Sequence, residues 1–124
     1  MASDKLEFIT FNVRGLKKNK RTALFNFLKE PRLSVIALQE THLGRKDVED
    51  VKREWSGSVH YSEAEGRSKG LLTLFGRGID KEKVELVHSE NMILLSRVNI
   101  MDQWLYCYNI YTVRAYYKSR ESYR

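Results

Sequence analysis

Cysteine and proline are almost missing from this chain: one of each, Cys107 and Pro31, stands among 124 residues. A lone cysteine excludes an internal disulfide, so no cross-link can substitute for a packed core. It sits in the apolar run Trp104-Leu105-Tyr106-Cys107-Tyr108 and reads as a buried core residue. Nothing marks an oxidising compartment. No apolar stretch approaches the roughly 20 residues needed to cross a bilayer. Residues 1–5 are polar and carry no apolar signal core. The expectation is a soluble intracellular protein, nuclear or cytoplasmic, with no membrane partner. Histidine is scarce as well. His42, His60 and His88 lie far apart without cysteine neighbours, so zinc spacing is excluded. Gly76-Arg77-Gly78 opens a dinucleotide fingerprint, but Lys81 takes the third glycine position. Ser56, Ser58 and Ser62 form no nucleophile elbow.

What is present suits one domain spanning residues 1–124. The apolar share is 42%, and a chain of this length buries roughly two thirds of its unfolded surface. No repeat, low-complexity tract or interdomain linker interrupts it. Net charge is +6. A basic balance suits anionic partners, and it serves solubility equally well.

Apolar periodicity predicts the elements. Residues 6–13 read as a buried strand, followed by a turn at Arg14-Gly15. Residues 20–29 pair Ala23 with Phe27 and Leu24 with Leu28 at i,i+4, which predicts one apolar helix face. Pro31 stops that helix. Residues 35–38 form a short continuous apolar run, typical of a central strand, ending at Gln39-Glu40. Strand, helix and strand in this order make a βαβ unit, whose crossover is right-handed and whose strands are parallel. Asn12 and Glu40 therefore end on the same carboxyl edge, where α/β proteins place ligands. A second helix follows at 46–55, a short strand at 58–62, a polar loop at 63–69 and a strand at 70–75. Residues 83–88, 92–100 and 103–111 predict an antiparallel meander, with Asn91 and Asp102 in its turns. From Thr112 onward the pattern assigns nothing.

A carboxylate at a strand end is expensive to desolvate unless it meets a cation or a donor. Glu40 could hold a hard cation, with Asn12 adding a carboxamide contact to phosphate or metal-bound water. It could equally be an ordinary loop or cap residue, and spacing alone leaves both readings open. The run Lys17-Lys18-Asn19-Lys20-Arg21, just after Asn12, could neutralise phosphates or simply be a solvated helix start.

The motifs resolve this by resemblance. Phe8-Ile9-Thr10-Phe11-Asn12-Val13-Arg14-Gly15-Leu16, followed by Ile36-Ala37-Leu38-Gln39-Glu40-Thr41-His42, resembles the opening of endonuclease/exonuclease/phosphatase domains. The nearest likeness is to the apurinic-endonuclease-like domains of non-LTR retrotransposons. Ser68-Lys69-Gly70-Leu71-Leu72-Thr73-Leu74-Phe75 resembles their next strand. The resemblance runs from about Leu6 to Tyr111. It implies magnesium-dependent cleavage of DNA, with manganese able to substitute. It makes Glu40 the metal-binding glutamate, Asn12 the supporting asparagine, and Tyr111 a tyrosine that contacts the scissile phosphate. Arg14, Lys17, Lys18, Lys20 and Arg21 become contacts to DNA phosphates. After Tyr111 the family's proline- and asparagine-containing segment is replaced by Thr112-Val113-Arg114-Ala115. The family's second-half motifs, Asp-x-Asn and a terminal Asp-His, do not occur.

The expectation is therefore a truncated homologue, nearly or fully inactive alone, with a weak metal site. Its fold would be half of a four-layer α/β sandwich of the deoxyribonuclease-I type: one mixed sheet with helices on one face. The other face would lie bare and drive self-association, unless Tyr116, Tyr117 and Tyr123 folded over it. The runner-up is a non-catalytic basic nucleic-acid-binding module.

Overall fold

The computed structural model describes residues 5–65 and 68–111. Within them the chain runs β1 (Glu7–Asn12), α1 (Lys18–Leu28), β2 (Ser34–Gln39), α2 (Arg45–Glu54), β3 (Val59–Glu65) and β4 (Ser68–Phe75). A 3-10 turn at Lys81–Lys83 then leads to β5 (Val84–Glu90), β6 (Ile93–Ile100) and β7 (Gln103–Ile110). Among the described residues no helix is long and apolar enough to cross a membrane.

The fold is α/β, and its first three elements are the expected βαβ unit. β1 and β2 pair in parallel, from Glu7↔Ser34 to Asn12↔Gln39. β4 runs antiparallel to β2, and β3 pairs with β4, giving the order β1-β2-β4-β3. Within residues 63–69, expected as a polar loop, residues 63–65 instead prolong β3 and residues 68–69 prolong β4, with Ala64↔Lys69 and Glu65↔Ser68 paired. A backbone ladder needs no apolar side chains, so charge hid this hairpin from the sequence pattern.

The sequence predicts one mixed sheet, but the structure has two. β5, β6 and β7 form a separate antiparallel sheet. Its hairpin from β6 to β7 turns on Met101 and Asp102, both at positive φ (52° and 65°), the backbone of a two-residue type I′ turn. The reason for two sheets lies in the first one. Ile36, Leu38, Leu72 and Leu74 form one apolar face, while Val35 and Phe75 point the other way. Both faces need cover. Phe25 and Leu28 of α1 and Val48 and Val51 of α2 cover the first face. The meander covers the second, bringing Val98, Leu105 and Cys107 against Val35 and Phe75. Each large apolar side chain so buried stabilises the fold by about 1.5–3 kcal/mol.

The meander thus covers the β2–β4 part of the face expected to lie bare, while Phe8 on β1, in register with Val35, stays exposed. Other exposed large apolar side chains include Phe11, Phe27, Leu86, Val87 and Met101, and on the outer side of β7 Trp104, Tyr106, Tyr108 and Ile110. Tyr116, Tyr117 and Tyr123 lie outside the described residues. Cys107 is half-buried, and burial pushes its thiol pKa up.

Of the apolar face expected on helix α1, the Leu24–Leu28 pair holds, with Leu28 buried and Leu24 packed on the core, and the Ala23–Phe27 pair does not. Arg21, Phe25 and Leu28 face inward at i,i+4 and i,i+3, while Phe27 points to solvent. The Ala23–Phe27 pair is on the wrong side because a buried arginine took the place of an apolar residue on the inner stripe.

Candidate functional site

At the carboxyl ends of β1 and β2 three segments zip together through their backbones. Val13 N–H donates to Gln39 O (2.9 Å), Gly15 N–H to Glu40 O (2.6 Å) and Leu16 N–H to Thr41 O (3.0 Å). Thr41 N–H and His42 N–H donate to the carbonyls of Gly70 (3.1 Å) and Lys69 (3.0 Å) at the start of β4. These segments hold Arg14, Gly15, Glu40, His42, Lys69 and Gly70 at positive φ. For residues other than glycine that region costs of order 1–3 kcal/mol each, and such strain concentrates where function demands a particular side-chain placement. Gly70 is also required by space: a Cβ there would lie 2.5 Å from Thr41 Oγ1.

The zip brings the two candidates from the βαβ unit into contact. Asn12 Nδ2 donates to Glu40 Oε2 at 2.7 Å, and Asn12 Oδ1 accepts from Arg14 N–H at 3.3 Å. Asn12 thus orients the carboxylate and steers the following loop. Glu40 is half-buried, and among the described residues no cation bonds it. Among those residues no three His, Cys, Asp or Glu side chains converge. The donor set is one carboxylate and one carboxamide. Magnesium takes only one or two protein carboxylates and keeps several waters, so this set fits an incomplete, weak site.

Beside the pair opens a cleft of about 550 Å³ lined by Arg14, Lys17, Lys18, Lys20 and His42, and an adjoining cleft of about 340 Å³ shares Lys17, Lys18 and His42 with it and adds Asp47 and Asp50. Lys20 Nζ donates to the Val13 carbonyl, which holds its ammonium next to the end of β1. Another cleft, of about 560 Å³, lies beside Ser58, His60 and Lys81, but Asp80 shares its wall. Charge, not size, separates it from the first.

Arg21 does not belong with these cations. It is only 3% exposed. Its guanidinium donates to Glu54 Oε1 (2.6 Å), Glu54 Oε2 (3.0 Å) and Leu16 O (3.1 Å). The hydrogen bond and charge of Arg21 hold the Glu54 carboxyl below its ordinary range, and Glu54 raises the arginine in turn. Arg21 is a strut between α1 and α2 and has no donors turned to a phosphate. This corrects its inclusion among the DNA contacts.

Tyr111 follows β7, is half-buried, and its N–H donates to Met92 O at 3.0 Å. Asn109, two residues earlier, accepts from Gln39 Nε2 at 2.9 Å. Tyr111 therefore arrives at the end of the sandwich that carries Glu40, although its side chain bonds neither Asn12 nor Glu40. Sequence reasoning passed over Thr10, Gln39 and Asn109. One signal was available: along β7 the inward positions are Leu105, Cys107 and Asn109, and the last breaks the apolar pattern. No protein-family model matches the chain, and no curated protein matches it either.

Proposed function

We propose that this chain carries the opening part of a divalent-metal-dependent phosphodiesterase of the endonuclease/exonuclease/phosphatase family. Within that family its motifs most resemble the apurinic-endonuclease-like domains of non-LTR retrotransposons, and DNA is the proposed substrate. The observation that carries this reading is the Asn12–Glu40 pair, 2.7 Å apart at the end of two parallel strands, beside a cleft lined by Arg14, Lys17, Lys18 and Lys20. The helical layer and two stacked sheets are then the first part of a four-layer sandwich of the deoxyribonuclease-I type.

In this reading Glu40 holds magnesium or manganese. The ion, when bound, supplies Lewis-acid charge to a phosphoryl oxygen. Asn12 fixes the carboxylate's orientation and offers a carboxamide to phosphate or water. Arg14, Lys17, Lys18 and Lys20 neutralise the DNA backbone, and Tyr111 contacts the scissile phosphate. Cleavage also needs an oriented water and further donors aimed at the developing charge. The 124 residues contain neither Asp-x-Asn nor Asp-His to supply them. The chain alone is therefore proposed to bind DNA weakly and to cleave it slowly or not at all.

Nicking of abasic and intact DNA by highly purified protein with magnesium tests this. Trace activity at most is expected. Robust nicking abolished by Glu40→Ala would overturn the inactivity while strengthening the family reading. The second reading, a non-catalytic nucleic-acid-binding module, is favoured by the ratio of cations to carboxylates at the site. It predicts DNA affinity unchanged by Glu40→Gln and by removal of magnesium.

A further inference from the structure

Three candidate residues, Asn12, Glu40 and Tyr111, come from three different strands, and each lies one or two positions beyond a member of one hydrogen-bonded cluster. Thr10 precedes Asn12 by two, Gln39 precedes Glu40 by one, and Asn109 precedes Tyr111 by two. The two protons of Gln39 Nε2 are shared among Thr10 Oγ1 (3.0 Å), Asn109 Oδ1 (2.9 Å) and its own strand's Ala37 O (3.1 Å). Those of Asn109 Nδ2 are shared among Leu38 O (3.3 Å), Leu72 O (3.0 Å) and Thr73 Oγ1 (3.1 Å). We infer that Thr10, Gln39 and Asn109 are positioning residues that set Asn12, Glu40 and Tyr111 relative to one another. The role assigned to those three rests on the functional reading above.

The chemistry of Asn109 explains how. It is 2% exposed, on the inward side of β7. A buried carboxamide persists only if its donors and acceptor are satisfied. Leu38 and Leu72 are register partners on β2 and β4, and their two carbonyls accept from the same Nδ2. This centres β7 over the β2–β4 junction. With Nδ2 committed to the sheet, Oδ1 faces Gln39. Gln39 in turn reaches across to β1 through Thr10. One node therefore ties β1, β2, β4 and β7. A strand advances about 3.3 Å per residue, so the node lies within roughly 7 Å along the chain of each candidate. Over so short a lever, little freedom remains for the relative placement of the three strand ends.

The Asn12 side-chain amide is the reporter, because its Nδ2 protons sense the Glu40 carboxylate without any need for activity. NMR of that amide pair and manganese affinity are measured in wild type, Asn109→Leu, Gln39→Met and Ser62→Ala. Ser62→Ala is the control. It removes a different contact between the sheets, Ser62 Oγ to Glu90 O at 2.7 Å. Both node variants should move the Asn12 signals toward free-amide values and weaken manganese binding by about 10-fold or more, as outer-shell changes do. Ser62→Ala should leave both at wild-type values. Gln39→Met keeps the Asn109 bonds to the sheet, so it decides the matter even if Asn109→Leu fails to fold. Unchanged Asn12 signals in folded Gln39→Met would overturn the inference. If wild type binds no manganese while the Asn12 signals still move, the functional reading fails and the positioning node stands.

Discussion

The two helices lie on the same face of the same sheet, and they treat charge differently. α2 follows its dipole at its end and mixes charges at its start, where Arg45 and Lys46 precede Asp47. Asp47 in its first turn accepts from Gly44 N–H at 3.3 Å, and Lys52 and Arg53 occupy its last turn. Three of its four cations are paired, with Arg45 to Glu63, Lys52 to Glu49 and Arg53 to Asp50, while Lys46 stands outside these pairs. α1 opposes its dipole. No acid stands in its first turn and no base in its last, and Lys17 at its start makes no side-chain cap. Lys17, Lys18 and Lys20 crowd its positive end, each costing a few tenths of a kcal/mol or more. A helix whose charges fight its own stability has them for another purpose, and this end sits beside Asn12 and Glu40. The lysines at the start of α1 are therefore the ones the proposed function assigns to an anion from outside the chain.

The comparison can be broken most forcefully at Arg21, the one cation near the start of α1 that is paired inside. Arg21→Ala leaves the Glu54 carboxylate without its partner and should cost about 3 kcal/mol. Thermal denaturation should show the midpoint falling by about 10 °C or more. Lys18→Ala, one turn away, should shift it by no more than about 2 °C. Equal losses would erase the distinction between strut and binding cation.

Acid should act next. His60 is wedged between the sheets, with Nδ1 2.7 Å from Ser96 Oγ and its ring against Phe75, and burial pushes its pKa down to about 4. The unfolded chain takes up this proton near pH 6.5, so stability is full above 6.5 and falls as pH drops toward 4. Allowing for partial solvent screening, the loss is about 1–2 kcal/mol. The depressed Glu54 carboxyl adds a loss of the same sign as pH falls through its lowered pKa, at the α1–α2 bridge. Urea unfolding at pH 7, 5 and 4, extended to pH 3 for the Glu54 component, measures both. His60→Gln should flatten the curve between pH 6.5 and 4 and leave the more acidic Glu54 component.

The smallest stability effect has the opposite sign. Lys17→Glu combined with Lys18→Glu restores the dipole rule and should raise stability by about 0.5–1 kcal/mol. The same pair should lower the log–log salt slope of duplex DNA binding by about 1.8, if each lysine meets one phosphate. A more stable variant with an undiminished slope would show that the lysines touch no DNA.

Much of this arrangement was legible in residue order. Parallel pairing of β1 and β2 follows from a strand, an amphipathic helix and a second strand in about 35 residues, and it brought Asn12 to Glu40. Arg21 was illegible, because a cation in a basic run looks the same whether it faces solvent or a carboxylate 33 residues away. The β3–β4 hairpin through Glu63, Ala64 and Lys69 was hidden because backbone hydrogen bonds carry it. The second sheet was missed for a related reason. Alternation along β6 shows which side of a strand is apolar, but not whether that strand joins an existing sheet or lies over it. Asn109 shows only as a break in pattern, since its meaning depends on carbonyls of Leu38 and Leu72 that are distant in sequence.

Glu40, oriented by Asn12, is the proposed divalent-cation ligand. Magnesium or manganese titration, followed residue by residue in wild type and in Glu40→Gln, tests it most directly. Shifts confined to Asn12, Gly15, Glu40 and their neighbours in wild type, weak in affinity and absent from the variant, are the predicted result. Identical shifts in both proteins would contradict it.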